Sequence, residues 1–179
     1  SSQNDGADNK LLLFNLADGQ KITSQSSAYD QEKETYTVTG TYKKNAKLKF
    51  NDVEAESDED GYFEVKLPVK DGQNLLLIKD GDQTLEAVNF TVKAEGPKVS
   101  VDEESSGRIL AKDDSYTLSG TVSGLGESGE LELTNLSDNS KTKLTVDQDG
   151  KFSQKVNLNY GDNPFELTAT DADGNVTKK

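Results

Sequence analysis

A chain of 179 residues that is 31% hydrophobic and 30% charged has little apolar material to bury, and a sheet with one buried face uses such material well. It contains no Cys, Met, Trp or His, which removes disulfides, thiolate metal sites, imidazole bases and cysteine nucleophiles together. The net charge of −13 is spread evenly, 18 acids against 11 bases up to residue 95 and 15 against 9 beyond it. A field of that sign repels phosphate backbones and anionic membranes, so no nucleic-acid partner is expected.

Residues 1–9, Ser-Ser-Gln-Asn-Asp-Gly-Ala-Asp-Asn, offer almost nothing to bury and read as a linker. The first module is expected at residues 10–95. Its strand signals are Tyr36/Val38, Leu48/Phe50, Phe63/Val65/Leu67 and Val88/Phe90/Val92, each alternating apolar with polar residues. The runs Leu11-Leu12-Leu13-Phe14 and Leu75-Leu76-Leu77-Ile78 are too short to span a bilayer, and no signal peptide is recognisable, so no membrane insertion is expected. No stretch has a helical period.

One hairpin is legible residue by residue. Asn51-Asp52 is a two-residue turn that tolerates positive φ, which sets Phe50 opposite Val53, Lys49 opposite Glu54 and Lys47 opposite Glu56. Leu48, Phe50, Val53 and Ala55 then face the core while the Lys/Glu pairs face water. Glu130–Leu133 and Lys141–Leu144 repeat the arrangement farther along with the charges exchanged between strands. Charged strands of this kind also protect a sheet edge from further pairing.

Ala94-Glu95-Gly96-Pro97 closes the first module, and Pro97 fixes an extended entry into Lys98-Val99-Ser100-Val101. The second module, residues 97–179, offers Val99/Val101, Tyr116/Leu118, Leu131/Leu133, Leu144/Val146, Phe152/Val156/Leu158 and Phe165/Leu167 as strands. It repeats the first. Tyr36-Thr37-Val38-Thr39-Gly40-Thr41 returns as Tyr116-Thr117-Leu118-Ser119-Gly120-Thr121, Asp58-Glu59-Asp60-Gly61-Tyr62-Phe63 as Asp147-Gln148-Asp149-Gly150-Lys151-Phe152, and Gly72-Gln73-Asn74 as Gly161-Asp162-Asn163. The duplicated order makes Phe63 and Phe152 equivalent, each the first inward residue of its strand. The fold expected is all-β: two tandem antiparallel β-sandwiches of immunoglobulin or fibronectin type III kind.

Calcium is the sharpest chemical candidate, because residues 52–60 hold six acids. A calcium loop, however, needs further oxygen ligands at fixed spacing, and Asp60-Gly61 runs straight into a strand. The Asp-x-Asp-Gly clusters therefore read as turns. Asp171, Asp173 and Asn175 form a third cluster and are the metal candidates of the chain, since Asn175 adds a carbonyl oxygen, but this cluster too is expected to be a turn and no bound metal is expected. No cofactor is expected. The acids are distributed along solvent faces with no apolar cleft to raise a pKa, so no carboxylate pair stands out as a glycosidase acid and base. Tyr29, Tyr42 and Tyr160 are candidates for exposed rings that contact sugar or protein, but three scattered tyrosines do not make a site, and packing or loop anchoring is the expected use of each. No line of exposed aromatics marks a carbohydrate-binding sandwich.

The strand-Gly-Thr pattern, the Asp-x-Asp-Gly-x-Phe and Gly-x-Asn turns, and the closing Asp171-Ala172-Asp173-Gly174-Asn175-Val176-Thr177 together resemble bacterial immunoglobulin-like or fibronectin type III-like modules. They are similar in particular to the accessory modules that follow the catalytic region in lactocepin-type, cell-envelope subtilisin proteases. The first copy departs at its end, where Asp80-Gly81-Asp82-Gln83-Thr84 replaces the longer closing motif. The resemblance implies a noncatalytic spacer or binding region at the bacterial cell surface, outside the cell. The expected partners are the neighbouring domains of a longer parent chain, and a protein substrate or host protein. A subtilisin's catalytic Asp, His and Ser have no counterpart, because the chain has no His. The alternative is a stalk or ligand-binding segment of a surface adhesin, whose mark would be a Lys–Asn crosslink beside a buried acid.

Overall fold

The computed structural model describes residues 10–179, so the expected linker at residues 1–9 lies outside the described residues. The chain divides after Ala94 into two compact units, and no helix occurs among the described residues. Unit 1 contains β1 (Leu12–Leu13), β2 (Gln20–Ile22), β3 (Tyr29–Asp30), β4 (Thr35–Thr41), β5 (Lys47–Phe50), β6 (Val53–Glu56), β7 (Tyr62–Pro68), β8 (Gly72–Asp80) and β9 (Gln83–Val92). One sheet joins β1, β3 and β7 to the central β4; the other runs β2-β9-β8-β5-β6.

Period-two burial decides which side chains meet between these sheets. In β7, Phe63, Val65 and Leu67 are buried while Tyr62, Glu64, Lys66 and Pro68 face out; in β4, Tyr36, Val38 and Gly40 point inward and the four threonines outward. Phe50 from one sheet meets Phe63 from the other, their ring centroids 5.1 Å apart and tilted, a favourable aromatic arrangement at the centre of the core.

The hairpin forms in the expected register, Lys47↔Glu56, Leu48↔Ala55, Lys49↔Glu54 and Phe50↔Val53. Asn51 takes a φ of 55°, as the turn requires. Its side chain does more than turn: Oδ1 accepts from the Leu77 amide at 2.9 Å and Nδ2 donates to the Leu75 carbonyl at 3.0 Å. The turn is thereby tied to β8. The charged β6 is the edge of its sheet.

Residues 11–34 contribute structure that the alternation rule does not reveal. Leu11, Leu16 and Ile22 enter the core, and β2 runs parallel to β9, a departure from the otherwise antiparallel pairing. The crossing from one sheet to the other turns on Asn15. Its Nδ2 donates to the Thr37 carbonyl at 2.7 Å and its Oδ1 accepts from the Thr39 amide at 3.0 Å, so a side chain replaces the ladder where β1 stops.

Unit 2 contains β10 (Lys98–Val101), β11 (Ser115–Ser123), β12 (Glu130–Asn135), β13 (Ser140–Leu144), β14 (Lys151–Asn157), β15 (Phe165–Thr170) and β16 (Val176–Lys178). Three strands, β10-β11-β14, face four, β13-β12-β15-β16. Its fully buried apolar set is small: seven side chains, with Val99, Val101, Leu118, Val156 and Phe165 among those only partly covered. The charge pairs at its edge form on the diagonal. Glu132 lies opposite Lys143 in register, yet Lys143 reaches Glu130 at 2.8 Å and Lys141 reaches Glu132 at 3.9 Å. Strand twist brings diagonal neighbours within reach of long side chains.

The repeated Gly-Thr motif has one physical cause in both units. Gly40 lies opposite Phe63 and Gly120 opposite Phe152, and both rings are buried. A Cβ on Gly40 would collide with the Leu12 carbonyl and the Phe63 ring, and one on Gly120 with the Ser100 carbonyl and the Phe152 ring. Glycine is required where the ring and a neighbouring backbone crowd the same space.

Candidate functional site

The three acidic clusters fold into one and the same turn. In each, the first aspartate accepts two backbone amides through Oδ1: Asp58 from Asp60 and Tyr62, Asp147 from Asp149 and Lys151, Asp171 from Asp173 and Asn175, all at 2.8 to 2.9 Å. The backbone closes each turn as well, with the Gly61, Gly150 and Gly174 amides donating to the carbonyls of Asp58, Asp147 and Asp171. All three glycines have φ between 79° and 88°, a region that disfavours a side chain. These aspartates act as caps for their own turns.

Asp171 differs in depth. It and Asn175 are buried, and the Asn175 Nδ2 donates to the second carboxylate oxygen of Asp171 at 3.2 Å. The Ala172 amide ties the loop to the Leu125 carbonyl of the β11–β12 connection. The residues named as metal candidates thus come together: Asp171 accepts from the Asp173 amide and from both Asn175 donors, so carboxylate and amide engage each other within the loop. Among the described residues no group of three or more His, Cys, Asp or Glu side chains is placed to hold a metal ion.

The Gly-x-Asn turns also coincide. Asn74 Oδ1 accepts from the Lys70 amide while its Nδ2 donates to the Lys70 and Gly72 carbonyls; Asn163 does the same with Asn159 and Gly161. The duplicated motifs are therefore three kinds of structural joint, repeated with their hydrogen bonds.

The tyrosines separate. Tyr42 is buried and serves as a loop anchor, the use expected of it: its hydroxyl donates to Asp80 at 2.9 Å, tying the loop after β4 to the end of β8. Burial, then the Asp80 carboxylate, holds that hydroxyl above the ordinary tyrosine range. Tyr29 is half-buried against the core of unit 1, and Tyr160 is fully exposed.

An exposed aromatic pair exists elsewhere. Phe14 and Tyr62 project from the outer face of the four-stranded sheet with ring centroids 6.5 Å apart, and Leu12 lies exposed beside them. The signal was present: an inward Phe63 forces Tyr62 outward, and a strand through Leu11–Phe14 must expose half of its side chains.

The chain is 28% identical over 173 residues to the PI-type proteinase of Lactococcus lactis subsp. cremoris, an alignment that takes in 88% of this chain and 9% of the proteinase. It is homologous to a stretch of these proteinases. The PII-type proteinase of Lacticaseibacillus paracasei is 25% identical over the same 88%, and Bacillopeptidase F of Bacillus subtilis (strain 168) 29% identical over 98% of this chain. The chain spans 9 to 13% of the length of these relatives, so the homologous stretch is one small part of each. Residues 97–179, which include all of the strands of unit 2, match the family described as Glucodextranase, domain B. Among solved structures, the fibronectin(III)-like modules of Clostridium thermocellum CbhA align with a TM-score of 0.39 at 11% identity over 94% of this chain and 90% of that one, too loosely to bear on function.

Proposed function

We propose that this chain is a noncatalytic spacer and binding region of a longer, secreted bacterial protein of the cell-envelope proteinase kind, located outside the cell at the wall. The observation that carries this reading is the pairing of extensive similarity on one side with small coverage on the other: nearly the whole chain aligns with proteinases of which it is about a tenth. The chemistry of the chain agrees. With no His or Cys it lacks a nucleophile–base pair of the usual kinds, and its repeated polar motifs are spent on turns. Two small sandwiches in tandem suit the work of holding another domain at a distance.

A lysine brought next to an asparagine and a buried acid would favour the adhesin reading. Every lysine of the chain lies on the surface, whereas the buried acid Asp171 faces Asn175. The spacer reading is therefore the better supported.

The test is deletion of residues 10–179 from the parent protein on intact cells. Hydrolysis of a short chromogenic peptide should persist while hydrolysis of casein changes, because reach and presentation matter for a large substrate. Loss of short-peptide hydrolysis from a parent whose remaining domains are folded would contradict a spacer role.

A further inference from the structure

The outer face of the β1-β4-β7 sheet holds apolar side chains that packing does not explain. Thr41 is flanked in register by Leu12 on one side and Tyr62 on the other, and in the next outward row the Phe14 amide donates to the Thr39 carbonyl, with Glu64 on the far side. Leu12, Phe14 and Tyr62 are 51%, 58% and 38% exposed. The internal repeat supplies the control. In unit 2 the matching Thr121 is flanked by Ser100 and Lys151, and the Asp102 amide donates to the Ser119 carbonyl where Phe14 meets Thr39. The same fold accepts Ser, Asp and Lys at these three places, so Leu12, Phe14 and Tyr62 answer to something outside the fold.

We infer that this face of unit 1 binds a neutral polysaccharide, with Phe14 and Tyr62 as the stacking surface. The size of the patch argues for a small contact. Aromatic side chains bury about 150–250 Å² each, so the exposed parts of these three residues amount to roughly 300 Å². A stable protein interface needs about 800 Å² from each partner, somewhat over half of it apolar, which leaves this patch small for a second copy of the chain. Its chemistry selects the ligand. Two exposed rings tilted 31° to each other offer apolar area to the C–H face of a sugar, while the Thr39 and Thr41 hydroxyls, the Tyr62 phenol and the Glu64 carboxylate lie around them as donors and acceptors for sugar hydroxyls. A chain of net charge −13 disfavours an acidic glycan, so the glycan is neutral. This site goes beyond the spacer role, which stands whether or not a glycan binds.

The test is native electrophoresis of the 179-residue chain through gels containing soluble starch, dextran or a mixed-linkage β-glucan, with polygalacturonate as the acidic control. At least one neutral glycan should retard the chain and the acidic one should not. The double variant Phe14→Asp/Tyr62→Lys, which installs the residue types of unit 2, should weaken retardation by about tenfold or more, the loss of roughly 1.4 kcal/mol or more. Tyr160→Ala, which removes an exposed ring of unit 2, should leave it unchanged. Titration of unaltered chain with the same glycan should shift the amide resonances of residues 12–14, 39–41 and 62–64, a readout that needs no variant to fold. The inference is overturned if none of the neutral glycans retards the chain, if retardation survives the double variant or is lost equally in Tyr160→Ala, if the shifts fall elsewhere, or if denatured casein peptides shift those resonances and the glycans do not.

Discussion

Replacing Phe152 by Ala removes a ring that is 3% exposed, stacked over Gly120 and central to a core of only seven fully buried apolar side chains. Truncation takes away roughly 120 Å² of buried apolar surface, about 3 kcal/mol at 25 cal/mol per Å². The cavity adds to this, because a sheet held in register on both sides collapses only partly, and the expected total is about 3–5 kcal/mol. A domain the size of unit 2 has a total stability of roughly 4–13 kcal/mol. Its small core places it towards the lower end, so Phe152→Ala should lower its unfolding temperature by about 15–30 °C. Phe63→Ala should lose a similar energy from unit 1, whose core holds eighteen buried apolar side chains and tolerates the loss better. The assay is differential scanning calorimetry of the unaltered chain and both variants, with each substitution moving the transition of its own unit. A loss below about 1 kcal/mol at either position would show that the ring is not the centre of its core and that the duplicated alignment fails.

Other consequences are as direct. Asp171→Ala leaves the Asp173 and Asn175 amides and the Asn175 side chain without their shared acceptor in a buried loop, and should destabilise unit 2 by roughly 2–3 kcal/mol in urea unfolding; Asp147→Ala, in the exposed copy of the turn, should lose distinctly less. Because the Tyr42 hydroxyl titrates above its ordinary value in the folded state, folded chain holds that proton more tightly than unfolded chain, so its contribution is present below about pH 10 and is lost as pH rises beyond it. Comparison of urea midpoints at pH 9 and 11 should show a smaller alkaline loss in Tyr42→Phe than in the unaltered chain. Thermal melts with chelator and with millimolar calcium should nearly coincide, since Asp58, Asp147 and Asp171 each spend an oxygen on their own turn. Saturation of a folded-state site at one hundred times its dissociation constant would instead add about 2.7 kcal/mol.

Where residues carry alternation or turn chemistry, the sequence announces the structure. The Asn51-Asp52 hairpin, the inward Phe63 and Phe152 and the duplicated order of turns are of this kind, since each depends on neighbours a few positions away. Residues 11–34 are different. Ile22 is buried through a parallel pairing with a strand seventy residues on, and Asn15 works through the carbonyl and amide of Thr37 and Thr39, partners that no local pattern names. The candidate sites divide in the same way. Asp-x-Asp-Gly reads correctly as a turn from its composition, whereas the depth of Asp171 comes from the β11–β12 connection packed against it. Tyr42 is an isolated aromatic in a polar stretch, and only the fold brings Asp80 to its hydroxyl. The Phe14–Tyr62 pair required two short alternations and the β1-β4-β7 register to be combined, which joins segments about fifty residues apart.

The most direct test of a noncatalytic role is turnover by the purified chain itself, measured with casein and with a short chromogenic peptide at high protein concentration and long incubation. No hydrolysis above buffer is expected for either substrate. Hydrolysis that co-purifies with the chain, follows its concentration and disappears on its thermal unfolding would contradict it.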